Sequence, residues 1–143
     1  MDKHRVVTEM AAEHDIALIY LFGSRADTGL GILNGARKKN DDPLADIDVG
    51  VVFKSGLPAY KKRPAIYSFI YNQLEDLFAP FPVDLVFLQE THSVFQANAI
   101  CGHCIYYLNT DFKETYEENV LRRAADFRPF LEMYLDDLLE EVL

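Results

Sequence analysis

The chain has 143 residues, half of them hydrophobic, enough to bury the core of one domain and too many for a disordered protein. Its 14 basic and 23 acidic residues give a net charge of −9, the wrong sign for a nucleic-acid-binding surface, so no direct nucleic-acid binding is expected. No apolar run approaches the about 20 residues that span a bilayer, and Met1-Asp2-Lys3-His4-Arg5 leads into an amphipathic segment instead of a signal-peptide core, so no membrane contact and a cytoplasmic location are expected.

Val6, Val7, Met10 and Ala11 recur at helical spacing, which predicts a first helix over 3–14. Ile16 to Phe22 is a continuous apolar run of strand length and reads as a buried strand. Gly23-Ser24 then turns the chain into a short helix. Residues 27–45 carry Gly29, Gly31, Asn34, Gly35, Asn40, Asp41, Asp42 and Pro43 and read as a long loop, of the kind that tends to be functional. Asp46 to Phe53 reads as a second strand. Ile47, Val49, Val51 and Phe53 form its core face; Asp46, Asp48, Gly50 and Val52 form the other. Gly50 is expected to leave open space beside the carboxylates.

Ser55-Gly56-Leu57-Pro58 is a turn. A helix follows from about Pro64 to Leu77, with Ile66, Phe69, Ile70, Leu74 and Leu77 on its apolar stripe. Ala79-Pro80-Phe81-Pro82 ends it. Val83 to Leu88 reads as a third strand, apolar except for Asp84, a carboxylate that would be costly inside a buried strand unless paired or metal-bound. Thr91 or Ser93 can cap the next helix, over 93–100. A short strand over 104–108 and a long helix from about Asp111 to Leu143 complete the chain. Val120, Ala124, Phe127, Leu131, Leu135, Leu138 and Val142 lie close to one face of that helix, and Pro129 should kink it or divide it in two. The alternation of helices and strands predicts an α/β or α+β domain with one small sheet covered by helices.

Several features read as ordinary surface or core. Arg37-Lys38-Lys39 and Lys61-Lys62-Arg63 are short basic runs in solvated positions that can also attract a triphosphate. Cys101-Gly102-His103-Cys104 has redox spacing, but a redox pair sits at a helix N-terminus and this one follows a helix. Gly102 then reads as a helix C-terminal cap and the cysteines as small apolar residues. The acidic end, Asp136-Asp137-Leu138-Leu139-Glu140-Glu141, reads as a solvated helix face or, alternatively, a partner-docking one.

Two strings carry the chemistry. Leu21-Phe22-Gly23-Ser24-Arg25-Ala26 is a strand ending in a glycine–serine turn that opens a helix, a geometry that points backbone N–H groups at a phosphate. Ala45-Asp46-Ile47-Asp48 places two carboxylates at i and i+2 on one strand face. Asp84, one or two strand spacings away, can complete a carboxylate set or take a proton from an attacking hydroxyl. Magnesium takes oxygen ligands from one or two carboxylates plus phosphates and water. Phosphate turn and carboxylates together are the equipment of metal-assisted nucleotidyl transfer. Three carboxylates this close repel one another, so a cation should stabilise the site. Arg25 either pairs with phosphate or faces outward.

With these pieces the chain resembles the minimal nucleotidyltransferases of the DNA polymerase β-like superfamily, and in particular the MntA-type antitoxins that accompany HEPN-domain HepT toxins. Leu21-Phe22-Gly23-Ser24-Arg25-Ala26, Asp46-Ile47-Asp48 and Val83-Asp84-Leu85-Val86 carry the resemblance, and Ala125-Asp126-Phe127-Arg128-Pro129-Phe130-Leu131-Glu132-Met133-Tyr134-Leu135 resembles the C-terminal helix of that family. The resemblance implies a nucleotidyltransferase fold, ATP as substrate with magnesium, and a cognate HEPN toxin as partner; a small mixed sheet, two magnesium ions shared by the carboxylates and a joint oligomer with the toxin are expected. It also implies AMP transfer to a tyrosine of the toxin. Gly23, Ser24 and Arg25 would hold the nucleotide; Asp46, Asp48 and Asp84 would bind metal and act in catalysis. One departure stands out: twenty-one residues separate Ser24 from Asp46, around twice the usual spacing. The extra residues are placed at about 28–43, as a loop insertion in a single domain over 1–143. Two other functions compete: a non-catalytic antitoxin that neutralises its toxin by contact, and a nucleotidyltransferase acting on a small molecule such as an aminoglycoside.

Overall fold

The computed structural model describes residues 2–39, 42 and 44–142; at 128–135 and 137–142 the description is of the helical backbone. Five helices and four strands alternate: α1 (Lys3–Glu13), β1 (Ile16–Phe22), α2 (Ala26–Leu33), β2 (Ile47–Phe53), α3 (Arg63–Phe78), β3 (Val83–Phe87), α4 (Ser93–Ile100), β4 (His103–Tyr107) and α5 (Thr110–Val142). The strands form one mixed sheet in the order β3-β2-β1-β4. β1 pairs antiparallel with β2 and with β4, whereas β2 and β3 run parallel.

Every residue of β1 is buried, because helices cover both faces of the sheet. Ile16, Ile19 and Leu21 face a core shared with α1, α2 and α3. Ala17, Leu18, Tyr20 and Phe22 face a smaller core toward α4 and α5. Ala17 and Leu18 share a face because the β1–β2 register shifts between Ile16 and Leu18, the mark of a bulge. On β2 the core face is the expected one: Ile47, Val49, Val51 and Phe53 are all buried against the first core.

Several local expectations need correction. Residues 26–33 are helical, not loop. Gly29 there is a packing residue: a Cβ would lie 3.0 Å from Leu21 Cδ1 and 3.3 Å from Ile47 Cγ2, so its absence lets α2 settle on the sheet. Gly50 opens no space beside the carboxylates, since the Leu88 side chain fills it, 2.9 Å from where a Cβ would stand. Phe69 is 64% exposed instead of lying on the buried stripe of α3, which consists of Ile70, Leu74, Leu77 and Phe78. His92, not Thr91 or Ser93, caps α4, its Nδ1 accepting from the Val94 N–H at 3.1 Å.

α5 begins where the Asn109 side chain accepts from the Phe112 N–H at 2.7 Å. It is tied to the sheet by the buried Tyr20 hydroxyl, which donates to Glu117 at 2.9 Å, and to α4 by Tyr116, which donates to Gln96 at 2.6 Å. Gln96 in turn donates to the Thr91 carbonyl at 2.8 Å. Val120 is buried, as expected. The helix continues through Pro129 as one element, which corrects the expected division in two. The apolar positions Leu131, Leu135, Leu138 and Val142 and most of the acidic end lie outside the described side chains. So do Asn40, Asp41 and Pro43 of the loop. Among the described residues, no helix is long and apolar enough to cross a membrane.

Candidate active site

The site lies at one end of the sheet, where β1 stops and β2 and β3 begin. Register sets it out: Phe22 pairs with Asp48 across β1–β2, and Asp48 pairs with Asp84 across β2–β3. Gly23 follows immediately, with φ +74°. That left-handed conformation suits glycine, and a Cβ there would collide with the Asp48 carboxylate. The absent side chain therefore lets the turn backbone close onto the acid. Ser24 is exposed beyond it, and the α2 N-terminus follows with no side-chain cap on its first amides.

A cleft of about 410 Å³ opens at this point. Ser24 and Arg25 line one side; Asp42, Leu44, Asp46 and Asp48 line the other. The Arg25 guanidinium borders the cleft while resting 6.0 Å over the Phe81 ring. The phosphate turn and the paired acids thus share one open, polar cleft.

Asp46 is exposed and stands just before β2; Asp48 is half-buried. Burial pushes the Asp48 carboxyl above its usual range, and the negative charges of Asp84 and Asp46 push it the same way. Asp84 is exposed, which corrects the expectation of a carboxylate inside a buried strand: β3 is an edge strand, and Asp84 projects at its open end. As the side chains stand, no group of three His, Cys, Asp or Glu residues among the described residues is drawn together tightly enough to hold a metal ion. The donor chemistry nevertheless suits a hard divalent cation: carboxylate oxygens on adjacent strands, one held above its ordinary pKa by burial and by its neighbours' charge.

Two tyrosines near Asp84 escaped the sequence reading. Tyr67 and Tyr71 of α3 stack at 6.1 Å, and the Tyr67 hydroxyl donates to the carbonyl of Leu85 at 3.1 Å. Their i, i+4 spacing put them on one helix face and was the available signal. A second unforeseen pair, His103 Nε2 and Asp27 Oδ1 at 2.7 Å, joins β4 to the first turn of α2 on the far side of Gly23. Cys101 caps the C-terminus of α4, the wrong end of the helix dipole for activating a thiol, and burial pushes the Cys104 thiol up. Gly102 follows that cap, but its φ is not positive. It is required because a Cβ would collide with the Leu21 carbonyl oxygen where β4 joins β1.

Solved structures similar to this fold include a toxin–antitoxin complex with AMP-PNP, at 17% identity and TM-score 0.65, covering 95% of this chain and 98% of that one. A mutant MntA–HpeT toxin–antitoxin gives 16% identity and TM-score 0.66 over 95% and 98%. A tri-AMPylated Shewanella oneidensis HEPN toxin in complex with its MNT antitoxin gives 16% and 0.64 over 96% of each chain. No curated protein sequence matches the chain. The family model for polymerase β nucleotidyltransferases matches residues 6–111, a span that includes the Gly23–Ser24 turn and all three aspartates. The chain belongs to the polymerase β nucleotidyltransferase family.

Proposed function

We propose that this chain is a magnesium-dependent adenylyltransferase that transfers AMP from ATP to a tyrosine hydroxyl of a cognate HEPN-domain toxin, and so acts as its antitoxin. The observation that carries this reading is the juxtaposition of the Gly23–Ser24 turn with Asp48 and Asp84 at one end of the sheet. Two findings support the choice of nucleotide and partner: one similar structure is a toxin–antitoxin with AMP-PNP, and another pairs an MNT antitoxin with an AMPylated HEPN toxin.

In this reading the Gly23 and Ser24 amides and the Ser24 hydroxyl receive the triphosphate, with Arg25 beside them in the cleft. Asp46, Asp48 and Asp84 would hold two magnesium ions. When bound, these supply charge neutralisation for the attacking and leaving oxygens. Asp84, exposed at the edge of the sheet, accepts the proton of the acceptor hydroxyl. Leu44 and Asp42, from the stretch after α2, border the cleft, so the extra residues between Ser24 and Asp46 shape its entrance. A single domain over 1–143, a joint oligomer with the toxin and a cytoplasmic setting belong to the same proposal.

The test is the intact mass of a HEPN partner co-expressed with this chain, beside an Asp48→Asn control. Gains in whole AMP units, absent in the control, are expected. A stable complex without any gain would overturn adenylyl transfer and favour neutralisation by contact.

A further inference from the structure

A second cavity of about 410 Å³ lies between the C-terminal half of α3 and the turn that enters β3. Tyr71, Pro80, Phe81 and Pro82 give it apolar walls, and Glu75 and Asp76 an acidic rim. Three contacts link it to the candidate active site. The Pro82 carbonyl accepts from the Ile47 N–H at 2.9 Å, which fastens its floor to the start of β2. Phe81 meets Arg25 of the first cleft. Tyr71 stacks on Tyr67, which in turn is bonded to the residue after Asp84. The Tyr71 phenol is pushed up chiefly by the Glu75 charge beside it, and in smaller part by Asp46 and Asp84.

The strand order sets the acids out across the end of the sheet: the glycine–serine turn follows β1, Asp46 and Asp48 stand at β2, and Asp84 stands at β3. The Tyr71 cavity adjoins this end through the turn that enters β3. In-line transfer puts the attacking and leaving oxygens on opposite sides of the phosphorus. With pyrophosphate leaving on the Ser24 side, the acceptor hydroxyl approaches from the Asp84 side, to which the cavity is tied by Tyr71 stacking on Tyr67 and by the Tyr67 bond to the Leu85 carbonyl. Its rim carboxylates accept hydrogen bonds only and repel phosphate, so the cavity suits an aromatic ring with a polar tip and a cationic neighbour.

We propose that this cavity is the acceptor pocket: a tyrosine ring of the partner seats against Tyr71, and a lysine or arginine of the same segment meets Glu75 and Asp76. The proposal rests on the adenylyltransferase reading above. The bond formed joins the acceptor tyrosine Oη to the α-phosphorus of ATP. The α–β phosphoanhydride bond breaks, pyrophosphate leaves, and the phenolic proton passes to Asp84.

The test measures the KM for the HEPN partner and the Kd of a non-hydrolysable ATP analogue, in the wild type, Tyr71→Ala, Tyr71→Phe and the double variant Glu75→Gln with Asp76→Asn. Loss of the ring should raise the partner KM about tenfold and leave the analogue Kd unchanged. Tyr71→Phe, which keeps the ring, should rescue it. The double variant, on exposed positions that do not threaten folding, should also raise the partner KM and reduce its salt dependence. Weakened analogue binding with an unchanged partner KM would overturn the proposal and make this a nucleobase pocket. An unchanged KM and Kd in the double variant and in folded Tyr71→Ala would overturn it outright. A wild type that modifies no partner would defeat the adenylyltransferase reading, and this pocket with it; active wild type with indifferent variants defeats the pocket alone.

Discussion

Asp48 and Asp84 stand directly opposite one another across the parallel pairing of β2 and β3, and Asp48 is simultaneously paired with Phe22, the residue before the phosphate turn. One register therefore brings two acids together beside the glycine–serine turn. The arrangement is costly without a cation, since burial and two neighbouring charges all disfavour the ionised Asp48.

That cost has a sign that can be measured. A carboxyl whose folded pKa is raised contributes stability while it is protonated, and the contribution is lost as pH rises through the folded pKa. Asp48→Asn, which stays neutral, should match the wild type in Tm at low pH and exceed it as pH rises above the carboxylate range. Magnesium should raise the Tm of the wild type and do so less for the variant. The same exchange should lower adenylyl transfer by about a hundredfold or more. Thermal melts across pH, with and without magnesium, check the first pair of outcomes; equal pH profiles for the two proteins would contradict the electrostatic account.

Gly23→Ala should damage function and stability together. The position requires a left-handed backbone that a Cβ disfavours, and the new Cβ also meets the Asp48 carboxylate. A destabilisation of about 1–2 kcal/mol is expected, with a larger proportional loss of nucleotide affinity. Denaturant unfolding and analogue titration measure the two separately.

The Cys101–Cys104 segment should reveal its importance through its glycine. Gly102→Ala places a Cβ onto the Leu21 carbonyl oxygen, a backbone atom that cannot rotate away, and should cost about 1–3 kcal/mol. Cys101→Ser with Cys104→Ser should retain transfer. Loss of activity in a folded double serine variant would restore a chemical role for the thiols.

Tyr20→Phe tests how α5 is fastened. The buried hydroxyl donates to Glu117, and its removal should cost about 1 kcal/mol, lowering Tm by about 3–5 °C. Transfer should be little changed, because Tyr20 lies in the core toward α4 and α5, away from the cleft.

Much of this architecture is legible in local sequence because local patterns have local causes. The seven apolar residues of β1 announce a strand covered on both faces, and the alternation over 47–53 assigns the faces of β2. The Gly-Ser turn and Asp48 are short-range signals of the same kind and lie at the strand ends where the pattern put them, whereas Asp46 stands just before β2 and Asp84 is exposed on an edge strand. Glycine was the least legible residue. Gly29, Gly50 and Gly102 looked like a loop, an opening and a cap, yet each serves a close approach by Leu21 and Ile47, by Leu88, or by the Leu21 carbonyl. A missing side chain carries no record of what will occupy its place.

The periodicity and motifs of the chain thus foretell most of the elements and the buried face of β2, since these follow from side-chain spacing along one segment; the helical character of 26–33 was not among them. The strand order β3-β2-β1-β4, the pairing of Asp48 with Asp84, the exposure of Asp84 on an edge strand and the cavity beside Tyr71 came from the folded molecule alone. They depend on contacts between segments distant in sequence, where loop closure and packing choose among registers that local pattern leaves equally open.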